Sequence, residues 1–117
     1  MRSLAIVLIE DDFFVRPIIA ELLQNLGHRV VKQAGTFQEG MEAGRNAQFD
    51  LAILDLNLHG QDARSIAEVI AARGMSVLLL TGQEHASFAE DLKKVSIVQK
   101  PCSYSSLRSA IERVVTG

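Results

Sequence analysis

The sequence predicts a doubly wound α/β fold, a parallel five-stranded sheet with helices on both faces. Three observations carry this. Short apolar runs alternate with helical periodicities five times along 117 residues, which is the signature of repeated βα units. Three of those runs are apolar at consecutive positions, as expected of strands covered on both faces. Each run then stops at a polar residue, marking a rim where strands end and loops begin.

The elements follow in order. Leu4 to Ile9 is the first strand, ending in Glu10, Asp11 and Asp12. Val15, Ile18, Ile19, Leu22, Leu23 and Leu26 then recur at helical spacing, with Gly27 as the stop. Pro17 lies in the first turns, where it delays or bends the helix. Arg29 to Ala34 is a second, more polar strand. Thr36 to Glu39 matches a capping box, but Gly40 and Gly44 weaken the helix it opens by about 1 kcal/mol each relative to alanine. Leu51 to Leu54 is the third strand and runs into Asp55. Asp62 is placed to cap a helix whose inner face is Ala63, Ile66, Ala67 and Ile70, ending at Gly74. Val77 to Leu80 is the fourth strand, followed by Thr81-Gly82. Phe88, Leu92 and Val95 suggest a short helix at best. Ser96 to Gln99 is a mixed fifth strand leading to Lys100-Pro101. Leu107, Ala110, Ile111 and Val114 mark a last helix, with Ser103 or Ser105 as its cap.

The most apolar strands, first, third and fourth, belong in the centre and the other two at the edges. The order 2-1-3-4-5 satisfies this, giving a flavodoxin-like three-layer sandwich with its switch point between strands one and three. Length fits one domain, residues 1–117, with a core large enough to need no disulfide. A net charge of −2 gives no basic surface for nucleic acid. The single Cys102 cannot form an internal disulfide and suits a reducing compartment. No apolar run is long enough to span a bilayer, so the expected location is cytoplasmic. No output domain is expected.

The strand ends carry the chemistry. Glu10 and Asp11, Asp55, Thr81 and Lys100 each follow an apolar run directly, so the fold gathers them on one rim. Taken singly, each has a plain structural explanation as a helix cap, a strand terminator or a loop residue; taken together they do not. Clustered carboxylates repel and need a shared proton or cation. Oxygen ligands with no histidine or cysteine among them suit Mg²⁺. A lysine and a threonine opposite the ion complete a phosphoryl site, where Asp55 can act as a carboxylate nucleophile.

With these residues in view, the chain resembles the response-regulator receiver domains of two-component signalling, in their single-domain, chemotaxis-regulator-like form. The resemblance rests on Glu10-Asp11, Asp55 in DLNLHG, Thr81 in LLLTG and Lys100-Pro101 in QKPCSYSSL. It implies that Asp55 accepts a phosphoryl group from a phosphohistidine of a sensor histidine kinase or phosphotransfer protein. It implies Mg²⁺ held by Asp11, Asp55 and the Asn57 backbone carbonyl, with Glu10 acting through water. Lys100 and Thr81 would contact the phosphoryl oxygens, Asn57 and Gln83 would tune dephosphorylation, and the Lys100–Pro101 peptide would be cis. Asp12 reads as a helix cap. The output would be protein binding by a monomer or weak dimer, with no enzymatic activity beyond the domain's own phosphorylation and dephosphorylation.

Three departures stand out. Ile97 occupies the position where receivers usually carry a switching aromatic. His59 replaces a common proline; a solvated loop residue is the simpler reading, a pH-sensitive contact the other. Thr81 to Lys100 spans only 19 positions, so a short or irregular fourth helix is expected. Two other functions fit the pattern less well. An aspartyl-phosphate phosphatase would need an acid where Asn57 stands, and there is no room for a cap domain. A pseudo-receiver interaction module would normally have lost an acid or the lysine, whereas this chain keeps them all.

Overall fold

The structure is a computed structural model that describes residues 3–82, 95–100 and 103–116. The first six elements are β1 (Ala5–Ile9), α1 (Val15–Asn25), β2 (Arg29–Ala34), α2 (Phe37–Asn46), β3 (Leu51–Asp55) and β4 (Asn57–Leu58). They are followed by β5 (Gln61–Asp62), α3 (Arg64–Ala72), β6 (Ser76–Thr81), β7 (Val95–Gln99) and α4 (Tyr104–Thr116). The main sheet has the order β2-β1-β3-β6-β7, all parallel. Counting only its own strands, this is the predicted 2-1-3-4-5. β4 and β5 form a separate antiparallel hairpin.

Alternation along the central strands divides the core in two. Val7, Ile9, Ala52, Leu54, Val77 and Leu79 face α2 and α3, where Ala43, Ile66, Ala67 and Ile70 meet them. Ile6, Leu8, Leu51, Ile53, Leu78 and Leu80 face α1 and α4, against Ile19, Ala20, Leu23, Leu107, Ala110 and Ile111. Both faces of β1, β3 and β6 are covered, which is why those strands read as unbroken apolar runs. Edge strand β2 leaves four of its six residues exposed.

Three expectations need correction. Val15 and Ile18 are exposed rather than buried, while Ala20 is buried. Asp62 lies in β5 and the residue flanking α3 is Ala63, although the Asp62 carboxylate still accepts the Arg64 N–H at 2.9 Å. Val95 begins β7 instead of ending a helix, because its partner Val77 offers a strand edge. Phe88 and Leu92, and with them the expected short fourth helix, lie outside the described residues. Gly40 and Gly44, whose cost in helix propensity is real, are both buried in α2. A Cβ at Gly40 would come 2.8 Å from Ile9 Cγ2, and one at Gly44 3.2 Å from Ile70 Cγ1. They are small so that α2 can lie close to the sheet and to α3. The capping box forms in a variant geometry: Thr36 Oγ1 accepts the Glu39 N–H, while Glu39 Oε1 accepts from Gly35.

Candidate functional site

The carboxyl ends of β1, β3, β6 and β7 bring Glu10, Asp11, Asp55, Thr81 and Lys100 together. Glu10, Asp55 and Thr81 are buried, each being the continuation of a strand whose preceding residues are fully covered. Asp55 closes the register of β3 opposite Leu80. Lys100 follows β7, and its N–H is tied to the Thr81 carbonyl at 2.7 Å, which extends the β6–β7 ladder by one bond and fixes where the lysine leaves the sheet. An open cleft of about 460 Å³ is lined by Asp11, Asp55, Asn57, Gly60, Thr81, Gly82 and Lys100.

Within the cleft, carboxylate oxygens of Glu10, Asp11 and Asp55 all lie within 4.8 Å of one another. Lys100 Nζ donates to Asp55 Oδ2 at 2.7 Å and approaches Glu10 Oε1 at 3.4 Å. One ammonium therefore serves two of the three carboxyl groups. Burial pushes the Glu10 carboxyl up to about 7, and the hydrogen bond and charge of Asp55 push the same way against the Asp12 N–H. Burial also works against ionised Asp11, but the His59 N–H and the Glu10 carboxyl outweigh it and hold Asp11 low. For Lys100 desolvation is outweighed by Asp55 and Glu10, which raise it. Burial first, and the neighbouring Asp55 carboxyl second, thus favour a proton on Glu10 into the neutral range.

The loop after β3 is built to present Asp55. The Asn57 N–H donates to Asp55 Oδ1 at 3.0 Å, and Asn57 Oδ1 accepts the Gly60 N–H at 2.8 Å. His59 and Gly60 form the two-residue tip of the β4–β5 hairpin with φ of 49° and 81°, the doubly left-handed pattern of a type I′ turn. That turn aims the His59 N–H at Asp11 Oδ2, 2.7 Å away, with the imidazole Nδ1 at 3.4 Å. His59 is a solvent-exposed loop residue, as the simpler reading has it, that also contacts Asp11 of the acid cluster. Asp12 stays out of the acid cluster: its Oδ1 accepts the Phe14 and Val15 N–H groups at the entrance to α1, the capping role expected of it. Ser103 Oγ accepts the Ser106 N–H at the start of α4, as one of the two predicted caps.

Of the residues singled out in the sequence, Gln83 and Pro101 lie outside the described residues, as does Cys102. Ile97 is half-buried and packs with the α2–α3 side of the core. Arg16 was not singled out, yet its Nη1 donates to the Glu10 carbonyl at 3.1 Å; a lone arginine on an exposed helix turn gives no local signal of reaching back to the strand end.

Oxygen donors at this spacing fit a small hard cation, and a rim of neutral and basic groups opposite them fits a phosphoryl oxyanion. Comparison with known proteins identifies the family. Residues 6–112 match the model of the response regulator receiver domain family. The transcriptional regulatory protein PdtaR of Mycobacterium tuberculosis is 30% identical over 115 residues, covering 95% of this chain and 56% of PdtaR. The chain spans about half the length of the first curated relatives it matches. A CheY-like receiver domain protein from Methanospirillum hungatei superposes with a TM-score of 0.85 at 21% identity, covering 98% of this chain and 96% of that one. The REC domain of PhyR from Erythrobacter litoralis gives 0.83 at 23% identity, covering 97% and 91%. These structural likenesses establish the fold; the family match covers most of the sequence. No described helix is long and apolar enough to cross a membrane. By fold and by sequence, the chain belongs to the response regulator receiver domain family of two-component signalling.

Proposed function

We propose that this receiver accepts a phosphoryl group on Asp55 in a Mg²⁺-dependent reaction and signals by binding another protein. The observation that carries the reading is the cleft itself, with three carboxylates within 4.8 Å of one another and Lys100 2.7 Å from Asp55. Asp11, Asp55 and the Asn57 carbonyl would hold the ion, with Glu10 behind them. When bound, Mg²⁺ supplies charge neutralisation at the phosphoryl oxygens.

The chain's own residues do the rest. An Asp55 carboxylate oxygen attacks phosphorus of a phosphohistidine, the O–P bond forms as the N–P bond breaks, and the electron pair returns to the imidazole, which takes up a proton. The Asn57 N–H orients the acceptor through Asp55 Oδ1. Lys100 moves from Asp55 Oδ2 to the incoming phosphoryl oxygens, and Thr81, at the lip of the cleft, donates its hydroxyl to another. Asn57 and Gln83 orient the water that later hydrolyses the acyl phosphate, so the catalysis is confined to the domain's own phosphorylation and dephosphorylation.

The donor partner is a histidine kinase or phosphotransfer protein. Phe13, Phe14 and Ile18 are 76%, 80% and 60% exposed on the α1 entrance beside the acids, an apolar surface on which such a partner docks. The reading places the protein in the cytoplasm. Its test is incubation with acetyl phosphate and Mg²⁺ followed by intact mass. The expected result is one phosphoryl adduct, absent in Asp55→Asn. No adduct with acetyl phosphate, phosphoramidate or any candidate kinase overturns the reading in favour of a phosphorylation-independent interaction module.

A further inference from the structure

The acid pair is held from behind as well as from within the cleft. The Glu10 N–H donates to the Ala34 carbonyl at 3.0 Å, and Glu10 Oε2 accepts the Asp12 N–H at 3.1 Å. The remaining polar group of the residue, its carbonyl, accepts from Arg16 Nη1 at 3.1 Å. That carbonyl belongs to the Glu10–Asp11 peptide, so its orientation sets where the Asp11 side chain starts. Arg16 reaches it by crossing Gly35 in the turn between β2 and α2. A Cβ at Gly35 would sit 2.2 Å from Arg16 Nη1 and 3.3 Å from its Cζ, so the glycine leaves the lane the guanidinium occupies. No left-handed backbone requires glycine there, since the positive-φ glycines are Gly27, Gly60 and Gly74. Glu39 closes the arrangement: its Oε1 accepts the Gly35 N–H at 3.0 Å, and the Arg16 charge acts on its carboxylate.

We infer that Arg16, running over Gly35 to the Glu10 carbonyl, is a positioning residue that aims the Glu10–Asp11 acid pair for cation binding. It touches neither the ion nor the phosphoryl group; it fixes the peptide that carries their ligands. Groups that orient metal ligands from behind typically change metal affinity by about 10-fold or more when removed, and this contact acts through one peptide. The inference rests on the Mg²⁺ reading above, so its test includes a measurement made without the ion.

Two variants reach the contact from opposite sides. Arg16→Met deletes the donor. Gly35→Ala leaves Arg16 intact and displaces the free end of its side chain, a shift that costs the fold little. In the metal-free protein, the amide resonances of Glu10, Asp11 and Asp12 are expected to move in the same direction in both variants, with the midpoint of thermal unfolding held close to that of the parent. Mg²⁺ titration followed by those resonances is expected to show about 10-fold weaker binding in each variant. The double variant should bind no more weakly than Arg16→Met alone, because the two changes remove one interaction. Arg16→Lys, which retains a donor, should recover part of the affinity. Unmoved amide resonances, parental Mg²⁺ affinity, or additive losses in the double variant each overturn the inference. A parent that binds no Mg²⁺ defeats the metal reading instead, and the metal-free resonances then decide the positioning role by themselves.

Discussion

The two ends of the sheet both bury polar side chains, and they use them in opposite ways. At the amino end, Asp50 Oδ2 accepts the Ala5 N–H at 2.8 Å, and His28 Nδ1 accepts the Leu4 N–H at 3.1 Å. Each side chain there answers a backbone donor that the strand leaves open, so the groups complement one another. At the carboxyl end, Glu10, Asp11 and Asp55 face each other with Lys100 between two of them. Like charges are crowded together, and burial together with the Asp55 carboxyl pushes the Glu10 carboxyl up to about 7. Polar burial at one end serves the fold. At the other it stores an electrostatic deficit that a cation and a phosphoryl group would relieve, and such deficits concentrate at functional sites.

The largest expected effect separates the ends by ligand response. Mg²⁺ at 100 times its Kd should stabilise the parent by about 2.7 kcal/mol, read as a rise in the unfolding midpoint. Asp11→Ala should abolish that rise. Lys100→Ala should retain it, since the lysine competes with the ion for Asp55 instead of ligating it. Equal loss in both variants would mean that the lysine and the acids do not divide their roles as described.

The charge conflict should itself be measurable through Glu10. Its folded pKa, about 7, lies above the ordinary 4.5, so the folded state binds the proton more tightly than the unfolded chain. The stability this contributes is complete below about pH 4.5 and is lost as pH rises through 7. Glu10→Gln keeps the shape and the protonated hydrogen-bonding pattern without the titration. Without metal, it should be more stable than the parent by roughly 3 kcal/mol above neutral pH, at 1.36 kcal/mol per pK unit, and the gain should vanish near pH 4.5. Adding Mg²⁺ should reverse the ranking. Urea denaturation at three pH values decides it, and a gain that does not depend on pH would show that ionising the buried Glu10 carboxyl costs the fold nothing.

How much of this was legible in sequence follows the same division. Strand order came from the contrast between LAIVLI, LAIL and VLLL and the polar edges, because burial on both faces leaves an unmistakable pattern. Glu10, Asp11, Asp55 and Thr81 were readable because they stand at the ends of such runs, and Lys100 because it follows the mixed fifth strand, so the fold had to deliver them to one rim. Contacts that depend on loop conformation were not readable. The left-handed His59 that turns its N–H onto Asp11 is one, and the Arg16 route across Gly35 is another. Gly40 and Gly44 looked like weaknesses of α2 because propensity is a local property, whereas their use is the approach of Ile9, Ile66 and Ile70. The exposure of Ile18 was not readable for a related reason: periodicity defines a helix's apolar stripe but not which of its turns the core covers.

A smaller effect is expected at the amino end. Asp50→Ala removes the acceptor of the Ala5 N–H, a charged hydrogen bond of the kind that contributes about 1.5–3 kcal/mol. Partial exposure of Ala5 and Asp50 places the loss toward the low end, and the unfolding midpoint should fall accordingly. Mg²⁺ affinity should not change, because the whole length of the central strands separates Asp50 from the cleft. A change in affinity would tie the two ends together and undo the contrast between them.

The smallest effect tests whether a buried histidine at the structural end behaves as a satisfied group. Burial lowers the His28 pKa below 6.5, and Nδ1, already an acceptor, cannot take a proton without losing the Leu4 N–H. The unfolded chain therefore binds the proton more readily, so this group's contribution rises with pH up to about 6.5 and is flat above it. Nε2 is buried and without a partner among the described residues, so the neutral ring carries a standing cost as well. His28→Asn supplies an acceptor for Leu4 that does not titrate. Glu10 and the other acids are common to both proteins and cancel in the difference. The stability difference between parent and variant should be constant from pH 8 to 7 and shift in favour of the variant as pH falls toward 5. A difference that stayed level over the whole range would mean that His28 protonates as easily folded as unfolded, and that the amino end tolerates charge as the carboxyl end does.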